Sequence, residues 1–73
     1  MKKSFILEDL DCANCAAKME RKIKKIKGVD NAEISFMAQK MTIEAADDIF
    51  NDVMEEAVKI ISKIEPDCKV MIN

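Results

Sequence analysis

Apolar and polar residues alternate along this 73-residue chain with two different periods, and the switches between them mark out six elements. Over residues 3–8, Phe5 and Leu7 alternate with Ser4 and Glu8, which predicts a strand with one buried face. Ile6 then falls on the opposite, open face, where a single apolar side chain is ordinary. From Ala13 to Lys27 the period changes: Ala16, Met19, Ile23 and Ile26 follow one another at spacings of three and four and form one helical stripe. Gly28 offers the left-handed stop that ends many helices. Lys22, Lys24, Lys25 and Lys27 put cations where the helix dipole is negative.

Strand periodicity returns with Ala32, Ile34 and Phe36, and again with Met41, Ile43 and Ala45, around a turn at Ala38-Gln39-Lys40. A second amphipathic helix is predicted from Ile49 to Ile64, its stripe formed by Phe50, Val53, Met54, Ala57, Ile61 and Ile64. Asp47 and Asp48 stand before it as cap and dipole partners, and Pro66 ends it. Cys68, Val70 and Ile72 alternate with Lys69 and Met71 as a closing strand. The order βαββαβ, with a central hairpin between two β–α halves, predicts an α+β, ferredoxin-like fold: a four-stranded antiparallel sheet with two helices on one face.

Composition narrows what such a fold does here. Apolar residues make up 49% of the chain and charged residues 36%, a globular balance, and the length allows one core, so residues 1–73 read as a single domain. A net charge of −2 and only three aromatic residues, all Phe, argue against nucleic acid as a partner. No apolar run approaches the ~20 residues of a membrane span, and the basic start Met-Lys-Lys-Ser leads into no apolar signal segment. The expected location is therefore cytoplasmic. Histidine is absent, which removes the commonest general base and makes a binding module a better reading than an enzyme. Charge is unevenly spread: residues 1–28 carry eight Lys/Arg against four Asp/Glu, and the remainder four against ten. Solvated helix faces account for such runs, and so does steering toward a partner of opposite charge.

The chemistry lies in the cysteines. There are three, an odd number that suits a reducing compartment better than a disulfide scaffold. Cys12 and Cys15 form a C-x-x-C pair between the first strand and the first helix, while the lone Cys68 alternates onto an inward strand position and reads as core. A helix N-terminus favours thiolates, and thiolates bind soft and borderline metal ions. Asp11 adds a carboxylate oxygen beside Cys12, as a third ligand or alternatively as the helix cap. Two sulfurs and one oxygen leave a coordination position open. Thioredoxin-type redox chemistry is the rival reading, but the chain has no Trp and no Pro besides Pro66.

The stretch Leu10-Asp11-Cys12-Ala13-Asn14-Cys15 resembles the metal-binding motif of the heavy-metal-associated (HMA) domain family, and the element order and length extend the likeness over essentially the whole chain. The usual signature is Gly-Met-Thr/Ser-Cys-x-x-Cys; here Asp9 replaces the Gly, Leu10 the Met and Asp11 the Thr/Ser. The Asp-Cys-x-x-Cys form is similar to domains of zinc/cadmium/lead-transporting P-type ATPases. That resemblance implies Cys12, Cys15 and Asp11 as ligands of Zn²⁺, Cd²⁺ or Pb²⁺. It also implies hand-off by ligand exchange to an ATPase membrane core or another metal-binding domain. The alternatives are a free-standing Cu⁺ metallochaperone and, third, a dithiol redox protein. The expected state is a monomer, with a metal-bridged dimer through shared thiolates as a further possibility.

Overall fold

A computed structural model describes residues 1–71 of the chain. The six elements occur in the predicted order: β1 Lys2–Glu8, α1 Ala13–Lys24, β2 Val29–Ser35, β3 Lys40–Ala45, α2 Phe50–Ile64 and β4 Lys69–Met71. The strands form one sheet in the order β2-β3-β1-β4, every neighbouring pair antiparallel. This is the ferredoxin-like arrangement that the periodicity predicts.

Register follows from the alternation, because a slip of one residue would turn every apolar side chain out of the core. Phe5 lies opposite Met41, Leu7 opposite Val70, and Ile34 opposite Met41 from the other side. The inward face of the sheet meets the helix stripes Ala16, Met19, Ile23 and Phe50, Val53, Met54, Ala57, Ile61, all buried. Phe5 and Phe50 stack across this interface with ring centroids 6.5 Å apart. Leu7, Met19, Ile23, Met41, Ile43 and Ile61 are almost completely withdrawn from water, each worth about 1.5–3 kcal/mol of transfer free energy. Among the described residues no charged or polar side chain is buried, so nothing in the core needs a polar partner. Ile6 is exposed on the open face as expected, directly opposite Met71, which is also exposed.

Three boundaries differ from the sequence reading. Helix α1 stops at Lys24, not Lys27, because its last turn tightens: the N–H groups of Lys25 and Ile26 bond the carbonyls three residues back, Lys22 and Ile23. The tightened chain reaches Gly28 at φ +100 and turns into β2, and Ile26 keeps its place against the core only half-buried. Helix α2 is capped by neither Asp47 nor Asp48. Its N-cap is Ile49, with no side-chain hydrogen bond, and Asp47 instead pairs with the Met1 ammonium at 3.0 Å. Phe36 lies just past β2 in the turn rather than on the strand. Ile72, expected inward on the closing strand, lies outside the described residues.

Antiparallel pairing fixes which loops meet. The end of β1, the β2–β3 turn, the end of α2 and the start of β4 all converge at one end of the sheet. Cys12 and Cys15 are at that end.

Candidate metal centre

The loop from β1 to α1 is built residue by residue. Asp9 takes φ 62, the left-handed region that Asp tolerates better than most side chains. The family's signature has Gly at this position, and the observed backbone explains why. Leu10 then turns inward and is 2% exposed, anchoring the loop to the core. Asp11 points out to solvent.

Cys12 is the N-cap of α1: its backbone is extended (φ −126, ψ 115), its carbonyl accepts from Ala16 N–H at 3.0 Å, and its Sγ accepts from Cys15 N–H at 3.2 Å. A sulfur thus does what an Asp or Ser oxygen does at most helix starts. The cap alternative for Asp11 is therefore not realised here. Cys12 and Cys15 are half-buried with thiols free, and Cys68 is buried and free.

The two loop thiols do not behave alike. Cys12 is lowered below the ordinary thiol range, chiefly because the Cys15 thiol and then the Cys15 N–H donate to its sulfur. Cys15 is pushed up to about 11, first by donating to Cys12, then by burial, then by the charges of Cys12 and Glu65. The pair thus forms one thiolate readily and holds a proton on the second sulfur. Burial raises Cys68, assisted by the charges of Glu65, Asp9 and Asp11.

Glu65 is the site residue that the sequence reading missed. It is the C-cap of α2, its N–H bonded to Ile61 O at 2.8 Å, and its carbonyl accepts from Cys68 N–H at 3.0 Å. Its carboxylate helps to raise the Cys15 thiol, and its charge is felt at Cys12 and Cys68 as well. The signal for it was topological: in a βαββαβ sheet the end of α2 returns to the loop that leaves β1. Apart from the effect of Cys12 on Cys15, the side-chain charges acting on these thiols come from carboxylates, a field that favours a cation between them. The structure brings Cys12 and Cys15 together and leaves Asp11 beside them on the surface. Among the described residues, no three Cys, Asp or Glu side chains are gathered closely enough to hold an ion as they stand.

A ferredoxin-like domain that presents a thiol pair at the N-terminus of its first helix defines a class of metal-binding modules. The particular family is plain from comparison: residues 4–69 match the heavy-metal-associated domain, and the chain belongs to that family. The chain is 33% identical over 66 residues to the cadmium, zinc and cobalt-transporting ATPase of Bacillus subtilis (strain 168), covering 90% of this chain and 9% of that protein. It is 34% identical over 56 residues to the zinc/cadmium/lead-transporting P-type ATPase of Shigella sonnei (strain Ss046), covering 77% of this chain and 8% of that one. The chain therefore spans less than a tenth of the length of these relatives. The N-terminal domain of a potential copper-translocating P-type ATPase from Bacillus subtilis, solved in its Cu(I)-loaded state, superposes with a TM-score of 0.75. That match is 26% identical and covers 97% of this chain and 84% of the other. Among the described residues no helix is long and apolar enough to cross a membrane.

Proposed function

We propose that this chain captures a divalent soft or borderline ion (Zn²⁺, Cd²⁺ or Pb²⁺) through Cys12, Cys15 and Asp11, and passes it on by ligand exchange. Its setting is the cytoplasmic N-terminal region of a heavy-metal-exporting P-type ATPase, the partner being the membrane core or another metal-binding domain.

The observation that carries this reading is a thiol pair whose charged neighbours are carboxylates. Asp11 adjoins Cys12 in sequence, and the Glu65 charge acts on Cys12, Cys15 and Cys68. A reactive redox cysteine wants an electropositive neighbourhood, whereas these thiols have carboxylate neighbours and one of them is pushed up to about 11. A divalent ion displaces the proton from Cys15, and its charge offsets what the carboxylates add. Zn²⁺ and Cd²⁺ accept mixed sulfur and oxygen ligands, whereas a carboxylate adds little to Cu⁺. With an open coordination position, an incoming thiolate binds before the donor ligands leave, so the ion changes hands without passing through water.

One observation favours the Cu⁺ chaperone reading: only the two sulfurs are already together, and two sulfurs suffice for Cu⁺. The deciding experiment titrates the reduced chain and Asp11→Ala with Zn²⁺, Cd²⁺ and Cu⁺ in competition, read by thiolate-to-metal absorption. The proposal requires Asp11→Ala to weaken Zn²⁺ and Cd²⁺ sharply and leave Cu⁺ unchanged. Equal binding of all three ions by both proteins puts the Cu⁺ chaperone first.

A further inference from the structure

The β2–β3 turn contains a residue in an unfavourable conformation. Gln39 has φ 53, in the left-handed region where Gly or Asn is easier to accommodate. What Gln has and those residues lack is a long carboxamide, and here it reaches the metal loop. Its Oε1 accepts from Leu10 N–H at 3.2 Å and its Nε2 donates to Leu10 O at 2.7 Å, so one side chain satisfies both backbone groups of a single loop residue. Nε2 also donates to Phe36 O at 3.0 Å, which ties the amide to its own turn. The Gln39 carbonyl accepts from Leu7 N–H at 2.8 Å, so the turn grips the end of β1 as well as the loop. Among the described residues no other side chain hydrogen-bonds the backbone of residues 9–11. Backbone held in a costly conformation points to a local role that outweighs the cost.

We propose that Gln39 is the positioning residue of the metal loop. It fixes Leu10, two residues before Cys12, so that the sulfurs of Cys12 and Cys15 are presented at a set separation, and it thereby slows release of the bound ion. Gln39 touches no ligand and acts through the loop backbone alone. The inference rests on Cys12 and Cys15 being the ligands of the cargo ion, and its test separates the two claims.

Gln39→Gly and Gln39→Asn both suit a positive φ and both lose the reach to Leu10. Each variant and the parent chain are loaded with Cd²⁺, and release to excess EDTA is followed as loss of the thiolate-to-Cd²⁺ absorption. Urea unfolding of the metal-free proteins and hydrogen exchange at the Leu10 amide are measured beside it. Release about tenfold faster in both variants is expected, the equivalent of about 1.4 kcal/mol. Leu10 exchange should quicken while the urea midpoint stays level or rises. That opposition of sign, a chain no less stable yet quicker to let go, is what a merely structural residue would not give. Unchanged release in both variants overturns the proposal, and so does faster release that only tracks a falling urea midpoint. A parent chain that develops no thiolate-to-Cd²⁺ absorption at all overturns the metal-binding reading itself, and the Gln39 proposal with it.

Discussion

Leu10 sits where loop, core and metal site meet, and truncating it should show how much of the site is core packing. Leu10→Ala removes three carbon groups from a side chain only 2% exposed. At about 0.8 kcal/mol per group the transfer loss is about 2.4 kcal/mol, and the cavity left in a packed interior raises it to about 3–5 kcal/mol. A chain of 73 residues is stable by only about 4–11 kcal/mol, so the variant should be close to unfolding without metal. Leu10→Met keeps the volume and should cost less than about 1.5 kcal/mol. Urea unfolding monitored by far-ultraviolet circular dichroism, with and without Cd²⁺, measures both. Cd²⁺ at about a hundred times its dissociation constant should return about 2.7 kcal/mol to any variant that still binds it. A loss below about 1 kcal/mol for Leu10→Ala, or equal losses for Ala and Met, would refute the view that this side chain is the loop's packed anchor.

Other outcomes follow from single features. Gly28→Ala should cost about 1–2 kcal/mol in urea unfolding, since φ +100 strains a Cβ, while Ile49 Cδ1, the far end of its side chain, can swing clear of it; a loss under about 0.5 kcal/mol would count against it. Without metal, stability should fall as pH rises from 9.0 toward about 11, because the unfolded Cys15 releases its proton there while the folded one keeps it. Cys68 contributes in the same direction and Cys12 in the opposite one, its stabilisation being lost as pH falls through its lowered value. An undiminished alkaline decline in Cys15→Ser would contradict that assignment. Glu65→Gln should lower the Cys15 thiol slightly, the contact with Cys12 and burial still holding it up, and speed its alkylation at pH 8 modestly, read by mass spectrometry of the adducts. Cd²⁺ uptake at pH 7 should release about one to two protons per ion, measured by calorimetry in buffers of different ionisation enthalpy, and fewer in Cys15→Ser.

Most of the architecture was legible because two periods govern two kinds of element. Phe5 and Leu7, or Met41 and Ile43, alternate cleanly, and the stripes of α1 and α2 repeat at three and four. What misled the reading was local hydrogen bonding that periodicity does not sense. Ile26 continues the α1 stripe although the backbone has already tightened beyond Lys24. Asp47 looks like a cap in sequence but is taken by the Met1 ammonium, a partner remote in sequence. At the site, the C-x-x-C pair was readable from spacing; Asp11, proposed from adjacency, lies exposed beside it. Glu65 and Gln39 were not, since each reaches the loop through the sheet's connectivity rather than through nearness in sequence. The turn at Ala38-Gln39-Lys40 lacked the Gly or Asn that announces a left-handed residue, so Gln39 concealed its own conformation.

The antiparallel sheet also gives the molecule a front and a back. The chain enters β1 at the end away from the cysteines, where the Met1 ammonium is moored to Ala45 O and Asp47, and β4 sets out from the cysteine end and runs away from it. A polypeptide continuing in the direction of β4 would thus trail behind the domain, leaving the loops around Cys12 and Cys15 at the opposite end. The exposed Met37, at the tip of the β2–β3 turn, lies at the cysteine end too. Tethered in this way, the domain can swivel on its attachment and still arrive sulfur-first.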